Sequence, residues 1–324
     1  MPMERSPADT PGYDIIGDVH GHATMLRALL AKLGYAPANG TWRHAAGRKA
    51  IFVGDLIDRG PEQLQTVEIV RGMVDAGDAL CVMGNHEYNA LQYRLGLRPL
   101  KEKDPHKTFL KQVPPGSAEY KACLDWFMEM PLWLDLGDIG IVHACWDTAG
   151  MRTLEELGLG PDRKISEELL ILAAHGKPDD APDRRAYTAL ENILKGTELR
   201  LPKGERFFDK EHTERHHIRT RWYVSKAADY QDLAFMSKSD LKRIPRLPLP
   251  EDYTFLPPPE KPIFVGHYWL DKDEHMEPRS DKVVCVDYSA GIDGPLAAYR
   301  WNRGDTKLMD NRFAWVPREA PAAL

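Results

Sequence analysis

The amino-acid sequence predicts an α/β fold that begins with a parallel β-sheet. Three short apolar runs, at residues 13–17, 51–53 and 79–83, have the length and composition of buried strands. Two stretches between them, residues 25–33 and 64–73, repeat apolar side chains at helical spacing. Strands that alternate with helices in this way form parallel sheets with right-handed crossovers.

The composition is that of an ordinary globular protein. The 324 residues suffice for one large α/β domain or two medium ones, and the net charge of -6 argues against long nucleic acid as a partner. No apolar run approaches the roughly 20 residues of a membrane span, and residues 1–11 are too polar for a signal peptide. A cytoplasmic location is therefore expected. The four cysteines form no CxxC pair, which excludes a zinc knuckle.

The first strand leads into a polar loop at residues 18–22, and the helix after it is predicted to end at Gly34, a typical C-cap. Residues 39–47 are polar and rich in turn formers. The second strand ends in a loop that contains Asp55, Asp58 and Arg59, and such loops hold the ligands of open α/β sheets. Taken alone, the loop fits a capped helix start equally well.

The third strand ends in Asn85, His86 and Glu87. Residues 88–131 are predicted to be helical with interruptions, and no chemistry is visible in them. An apolar run at 132–142 finishes in His143, and another at 263–265 finishes in Gly266 and His267. Two last strands, 283–286 and 296–301, show no comparable charged ending.

The segment between the runs that end in His143 and His267 differs from the rest of the chain in composition. Residues 161–201 carry two helical patterns, residues 201–226 concentrate Lys, Arg and His with aromatic side chains, and residues 245–262 are proline-rich. A charge run of this kind is usually a solvated hairpin. We expect a single domain over 1–324 in which an inserted helical and basic region, at about 151–260, selects the substrate.

Five separate apolar runs thus end in side chains that can bind metal. Carboxylate, imidazole and amide groups suit Mn²⁺, Fe²⁺ or Zn²⁺. The candidates are Asp18 and His20, Asp55, Asn85 with His86, His143, and His267. Six ligands exceed what one catalytic ion takes with an open position, so the set suits two metal ions, and an aspartate between the others in chain order suits a bridging role.

These segments resemble the calcineurin-like metallophosphoesterase superfamily, specifically its phosphoprotein-phosphatase branch. The resemblance rests on GDVHG at 17–21, GDLIDRG at 54–60, GNHE at 84–87, His143 and the Gly266-His267 pair. It implies an αββα sandwich of two packed mixed sheets flanked by helices. It also implies two divalent ions, with Mn²⁺ expected and Fe or Zn as alternatives. One ion would be held by Asp18, His20 and Asp55, and the other by Asp55, Asn85, His143 and His267.

The resemblance further implies hydrolysis of phosphate monoesters by a metal-bridging hydroxide. His86 would act as the general acid and Asp58 would orient it and favour its protonated form. Arg59 offers a planar fork for phosphate oxygens, and Asn85 would contact the substrate as well as the metal. Glu87 is expected to cap a helix rather than act as a base.

The resemblance also implies a second phosphate-binding arginine between His143 and His267. Arg221 is preferred over Arg219, although strand alternation would put both side chains on one face. The histidines outside the motifs, among them His106, are expected to be ordinary surface or core residues.

The closest resemblance is to bacterial diadenosine tetraphosphatases and to the phosphatase module of bacterial polynucleotide kinase-phosphatase. His143 is followed by Ala144 and Cys145 instead of the glycine pair of eukaryotic-type protein phosphatases. Three functions remain open: a phosphatase for a phosphorylated small molecule, nucleotide or phosphopeptide, a dinucleoside polyphosphate hydrolase, and a metal-binding protein without activity. The complete set of motif side chains argues for an enzyme. The sequence does not indicate the oligomeric state.

Overall fold

The computed structural model describes residues 10–179, 181–208 and 213–318. Lys210 and His212 of the basic segment lie outside the described residues, as does most of the polar stretch 1–11. No helix among the described residues is long and apolar enough to cross a membrane.

Strands and short helices alternate along most of the chain. The strands are β1 (Gly12–Ile16), β2 (Tyr35–Ala38), β3 (Thr41–His44), β4 (Lys49–Phe52), β5 (Ala79–Cys81), β6 (Trp133–Asp135), β7 (Gly140–Val142), β8 (Glu198–Arg200), β9 (Phe207–Phe208), β10 (Glu214–Arg215), β11 (His217–Arg219), β12 (Ile263–Val265), β13 (Val283–Cys285), β14 (Leu296–Asn302) and β15 (Phe313–Val316). The helices are α1 (Ala23–Leu33), α2 (Gln63–Asp75), α3 (Asn85–Arg94), α4 (His106–Gln112), α5 (Ala118–Met128), α6 (Thr148–Glu156), α7 (Glu167–His175), α8 (Arg185–Lys195), α9 (Tyr230–Leu233) and α10 (Lys238–Leu241).

Two mixed sheets form the centre of the fold. The first has the order β15-β14-β1-β4-β5, in which β1, β4 and β5 are parallel. The second has the order β13-β12-β7-β6, in which β13, β12 and β7 are parallel. The predicted βαβαβ start is therefore confirmed, because β4 follows β1 through α1 and β5 follows β4 through α2.

The alternation of side chains along each strand explains how the layers pack. Ile15 and Ile51 of the first sheet share a hydrophobic cluster with Ile141 and Phe264 of the second, so this cluster fills the space between the sheets. The neighbouring side chains, such as Phe52, point the other way and join the cluster formed with the helices. This arrangement confirms the αββα sandwich.

Local signals account for several element ends, and two features were missed. Gly34 adopts φ 96° and caps α1 as predicted. The polar stretch after α1 contains a hairpin, β2 and β3, which turns at Asn39 and Gly40 with φ of 50° and 81°. An Asn-Gly pair favours this turn because both residues tolerate positive φ. The prediction that the last strands lack a charged ending is wrong for β13, since Asp287 follows it and is buried.

The middle of the chain divides between two hydrophobic clusters. Helices α6, α7 and α8 contribute to the main cluster beside the second sheet. Strands β8 to β11 and the short helices α9 and α10 enclose a separate cluster around Phe207, Ile218 and Leu233. The inserted region at 151–260 stays a prediction, and only its second half has a core of its own.

Candidate metal centre

The predicted ligands meet because parallel strands end at the same edge of their sheets. In the first sheet, the loop after β1 bonds to the loop after β4: His20 N donates to Asp55 O at 2.9 Å, and Gly21 N donates to Leu56 O at 2.7 Å. In the second sheet, Gly266 N donates to His143 O at 2.9 Å. The result is a group of buried polar side chains between the two sheet edges.

Asp55 lies at the centre of this group. Its carboxylate forms one set of potential metal-ligand atoms with His20 and His86 and a second set with His143 and His267; within each set the atoms lie within 4.8 Å of one another. Membership of both sets is the geometry that a bridging ligand requires. Burial opposes ionisation of Asp55, but His143 and His86 hold its pKa well below the usual value.

The backbone of the site is held in an uncommon conformation. His20, Asp55, Asp58, Arg59 and His267 have φ of 48°, 52°, 73°, 71° and 71°. Residues other than glycine seldom adopt positive φ, and the free-energy cost is of order 1–3 kcal/mol each. Such conformations persist only where surrounding contacts impose them, and they cluster at functional sites.

Glu87 supplies many of those contacts. Its side chain is fully buried; Oε2 accepts hydrogen bonds from Asp55 N at 2.8 Å and Gly84 N at 3.0 Å, and Oε1 accepts from Leu56 N at 2.8 Å. Glu87 is also the third residue of α3 and forms a capping box with Gly84. The predicted capping group therefore also anchors the loop that carries Asp55.

Two glycines leave room for the ligands. A Cβ on Gly266 would lie 2.0 Å from Asp18 Oδ1 and 2.7 Å from Val53 Cγ2, and one on Gly84 would lie 2.3 Å from Asp55 Oδ1. These distances are far below van der Waals contact. The glycines of the motifs are therefore required for the close approach of backbone to carboxylate.

Hydrogen bonds orient the imidazole rings toward Asp55. His20 Nδ1 lies 2.9 Å from Ile57 O, and His143 Nδ1 lies 2.7 Å from Val53 O. Each Nδ1 donates its proton to a carbonyl, so Nε2 is the ring atom that remains available to a metal ion. This pattern is typical of metal-binding histidines. Accordingly, His143 Nε2 lies 3.4 Å from Asp55 Oδ2.

Three buried atoms at the site have no hydrogen-bond partner among the described residues: Asp18 Oδ1, His20 Nε2 and His267 Nε2. Burial lowers the pKa of His20 to about 3 and that of His267 well below its usual value, so both rings are neutral. Burial and the carboxylates of Asp287 and Asp55 raise the pKa of Asp18 well above its usual value. Bound cations would satisfy the unpaired atoms and offset the repulsion between carboxylates, so these residues fit metal ions.

Asp18 and Asn85 complete the predicted ligand set. Asp18 falls outside the two 4.8 Å sets, but its Oδ2 accepts a hydrogen bond from His267 N at 3.0 Å. The side-chain oxygen of Asn85 lies 3.1 Å from His143 Nε2 and 2.7 Å from His267 Nδ1. The structure thus gathers the other five predicted ligands near Asp55.

His86 and Asp58 form the predicted pair, with His86 Nδ1 2.5 Å from Asp58 Oδ2. Burial alone would lower the pKa of His86, but Asp55 and Asp58 raise it more, so the net shift is upward. The ring places Nε2 on the side of Asp55, at 3.8 Å from its Oδ2. The other oxygen of Asp58 bonds to His106, 2.9 Å away, which sequence reasoning had assigned no role.

A cavity of about 260 Å³ opens beside the cluster. Asp55, Arg59, Asn85, His86 and His267 line one side. The guanidinium of Arg59 lies over the ring of Trp269, 4.0 Å from its centroid, in a cation-π contact. Trp269, whose backbone N donates to Asp287, was not identified from sequence; its only signal was its position two residues after His267.

The basic hairpin, which we define as strands β8 to β11, also lines the cavity, together with α10. These elements contribute Glu198, Phe207, Arg215, His217, Arg219 and Asp240. Arg221 does not line the cavity, and its Nε donates to Ala234 O at 3.2 Å. The reason is that β11 ends at Arg219, so the predicted alternation does not continue to Arg221. These positions favour Arg219, instead of the Arg221 preferred from the sequence, as the second phosphate-binding arginine.

The family comparison agrees with the motifs. A family model described as calcineurin-like phosphoesterase matches residues 13–201, which is more than half of the chain and includes the predicted ligands from Asp18 to His143. His267 and the part of the basic hairpin beyond residue 201 lie outside the match.

Two bacterial relatives carry one name, bis(5'-nucleosyl)-tetraphosphatase PrpE (asymmetrical). The chain is 33% identical to that of Bacillus subtilis over 56% of this chain and 74% of the relative. It is 45% identical to that of Halalkalibacterium halodurans over 55% of this chain and 72% of the relative. A cold-active protein-tyrosine phosphatase from a psychrophilic Shewanella species has a similar fold, with a TM-score of 0.50 and 16% identity over 94% of this chain and 80% of that chain.

Proposed function

The chain belongs to the calcineurin-like phosphoesterase family, and from this premise we propose that it hydrolyses phosphate monoesters with the help of two divalent metal ions. The family shows that the chain is a metal-dependent phosphoesterase. The observation that supports a dinuclear site is the membership of Asp55 in both sets of ligand atoms. Mn²⁺ as the native ion and the cytoplasm as the location stay predictions.

The proposed ligands follow the resemblance. Asp18, His20 and Asp55 hold one ion, and Asp55 with Asn85, His143 and His267 holds the other. Two ions bound here would lower the pKa of a coordinated water and withdraw charge from the phosphoryl oxygens. The single domain with a specificity region at 151–260 is part of the same proposal.

The remaining side chains act on the substrate. His86, with Nδ1 bonded to Asp58, presents Nε2 toward the cavity and donates a proton to the leaving oxygen. Arg59 is held flat by Trp269 and binds phosphate oxygens from one side. Arg219, which lines the same cavity, takes the second phosphate-binding role first predicted for Arg221; its position in the lining supports this proposal.

The test combines metal analysis with turnover. Purified protein loaded with Mn²⁺ should contain two ions per chain and hydrolyse an aryl phosphate. The variant His86→Asn should keep both ions and lose most activity on alkyl phosphates, whose leaving groups need a proton. Full metal occupancy without turnover of any phosphate ester or anhydride would refute the proposal.

A second candidate function is hydrolysis of a dinucleoside polyphosphate. Two observations favour it: the names of the bacterial relatives, and the basic side chains of Arg215, His217 and Arg219, which line the same cavity as Arg59 and suit a chain of phosphates. Glu198 and Asp240 line the same cavity, and their carboxylates would repel phosphates, so the polyphosphate would bind in the part of the cavity near the arginines.

One assay separates the two functions. Turnover of an aryl phosphate, a mononucleotide, a phosphoserine peptide and diadenosine tetraphosphate should be compared under the same metal conditions. If the polyphosphate is the substrate, Arg215→Met should raise its KM while leaving aryl phosphate turnover unchanged. Arg246→Met is the matched control, because Arg246 is exposed and pairs with Asp229 away from the cavity.

A further inference from the structure

We propose that His106 is a positioning residue that holds Asp58 against His86, so that the proton-donating unit has three members. The inference rests on the proposed function, because it assigns a partner to the proposed general acid. The sequence placed His106 among the ordinary histidines, in a stretch without visible chemistry.

The carboxylate of Asp58 is shared between two rings. Its Oδ2 lies 2.5 Å from His86 Nδ1, and its Oδ1 lies 2.9 Å from His106 Nδ1. His106 and Asp58 are each only 1% exposed, and His86 is 7% exposed. Since a carboxylate only accepts hydrogen bonds, both Nδ1 atoms act as donors. Asp58 therefore cannot rotate about its side-chain bonds without losing one of the two hydrogen bonds.

His106 is itself held in a fixed orientation. Its ring stacks on Phe109 at a centroid distance of 5.3 Å and meets the edge of Tyr93 at 5.6 Å. Its backbone N donates to Asp104 Oδ1 at 3.1 Å, which fixes the start of α4. A ring packed in this way presents Nδ1 in one direction only.

Helix α4 makes further contacts with the same loop. Thr108 Oγ1 accepts a hydrogen bond from Arg59 N at 2.7 Å, and Gln112 Oε1 accepts one from Gln63 N at 2.9 Å. With His106, three side chains on α4 bond to residues between Asp58 and Gln63. These bonds connect α4 to the loop in which Asp58 and Arg59 have φ of 73° and 71°, so α4 helps to support that loop.

The chemical consequence concerns the direction of His86. The bond to Asp58 turns Nε2 of His86 toward the cavity, where the leaving oxygen must lie. Without His106, Oδ1 of Asp58 would be buried without that partner, and the carboxylate would be free to turn away from His86. Only reactions that need a proton on the leaving oxygen would then be slowed.

The experiment compares three substitutions at this position. His106→Leu removes the hydrogen-bond donor and replaces the imidazole with an apolar side chain of similar size. His106→Asn places its amide nitrogen near the position of Nδ1, whereas His106→Gln carries the same group one methylene farther, near the position of Nε2. His106→Asn should therefore still bond to Asp58, and His106→Gln should not.

We expect His106→Leu and His106→Gln to lower kcat for an alkyl phosphate about 10- to 100-fold and to change kcat for an activated aryl phosphate less than about 3-fold. KM and the content of two ions should be unchanged, and His106→Asn should restore most of the alkyl phosphate activity. The contrast between Asn and Gln decides the matter even if His106→Leu fails to fold.

Two results would overturn the inference alone: equal losses on both substrates, or an Asn variant as slow as the Gln variant while the wild-type protein and His86→Asn behave as proposed. Absence of turnover by the metal-loaded wild-type protein would overturn the proposed function, and the inference with it.

Discussion

Replacing Glu87 with glutamine should destabilise the fold without removing any metal ligand. The substituted side chain keeps its size but has only one acceptor oxygen. In the native protein the carboxylate accepts from the backbone N atoms of Asp55, Gly84 and Leu56, all at 2.8–3.0 Å. If the amide oxygen takes the position of Oε2, the N–H of Leu56 faces an NH₂ group instead of an acceptor.

The magnitude follows from these contacts. Losing one hydrogen bond to a charged, buried acceptor costs about 1.5–3 kcal/mol, and two more bonds change from a charged to a neutral acceptor. One effect acts in the opposite direction: burial and the neighbouring Asp55 raise the pKa of Glu87, so a neutral side chain relieves some repulsion. The net loss in the free energy of unfolding is expected to be about 2–4 kcal/mol.

The assay is urea denaturation of the metal-free proteins, with metal content measured in parallel. The matched control is Glu62→Gln, because Glu62 also accepts two hydrogen bonds, from Thr24 N and Thr24 Oγ1, but is partly exposed. That change should cost less than about 1 kcal/mol. Equal stabilities of the two variants would refute the anchoring role. A stable, fully metal-loaded but inactive Glu87→Gln would instead indicate a catalytic base.

Three further outcomes are expected. Asp55→Ala should remove both ions, measured by elemental analysis; two ions per chain in this variant would disprove the bridge. Gly266→Ala should reduce metal content because its Cβ would clash with Asp18. Gly72→Ala, in a helix where the new Cβ would meet only Thr41 Oγ1 at 4.0 Å, should be neutral or stabilising by about 0.5–1 kcal/mol. Burial alone would raise the pKa of Asp58, but its two histidine partners lower it to about 2, against about 3.9 in the unfolded chain. The ionised Asp58 should therefore stabilise the folded metal-free protein by about 2–3 kcal/mol above pH 4, and this contribution should be lost as the pH falls through 2. The free energy of unfolding of Asp58→Asn should show no such loss. A parallel loss in both proteins would contradict the assignment.

Several contacts at the site join residues that are distant in the chain. Asp58 meets His106 across 48 positions, and Trp269 meets the carboxylate of Asp287 across 18. Neither His106 nor Asp287 belongs to a motif, and no local pattern distinguishes them from structural residues. Their roles depend on which elements pack together, so they could be found only from the folded chain.

The second phosphate-binding arginine shows another reason why the sequence alone could not identify every site residue. The sequence narrowed the candidates to Arg219 and Arg221 because both lie in a basic segment between two predicted ligands. Which of the two arginines lines the cavity depends on where β11 ends: the strand stops at Arg219 and a turn follows. Two-residue alternation holds only within a strand, so side-chain direction is not predictable beyond its last residue.

What the sequence determined by itself was local: the strands, the first helices and the polar side chains that follow each strand. Those follow from residue order, since a strand of three to five apolar residues places the next polar residue at the sheet edge. Tertiary structure alone decided how the edges meet around Asp55, which carboxylate anchors its loop, and that α4 supports Asp58. These features depend on long-range hydrogen bonds and packing, which exist only once the two sheets and the helices have come together.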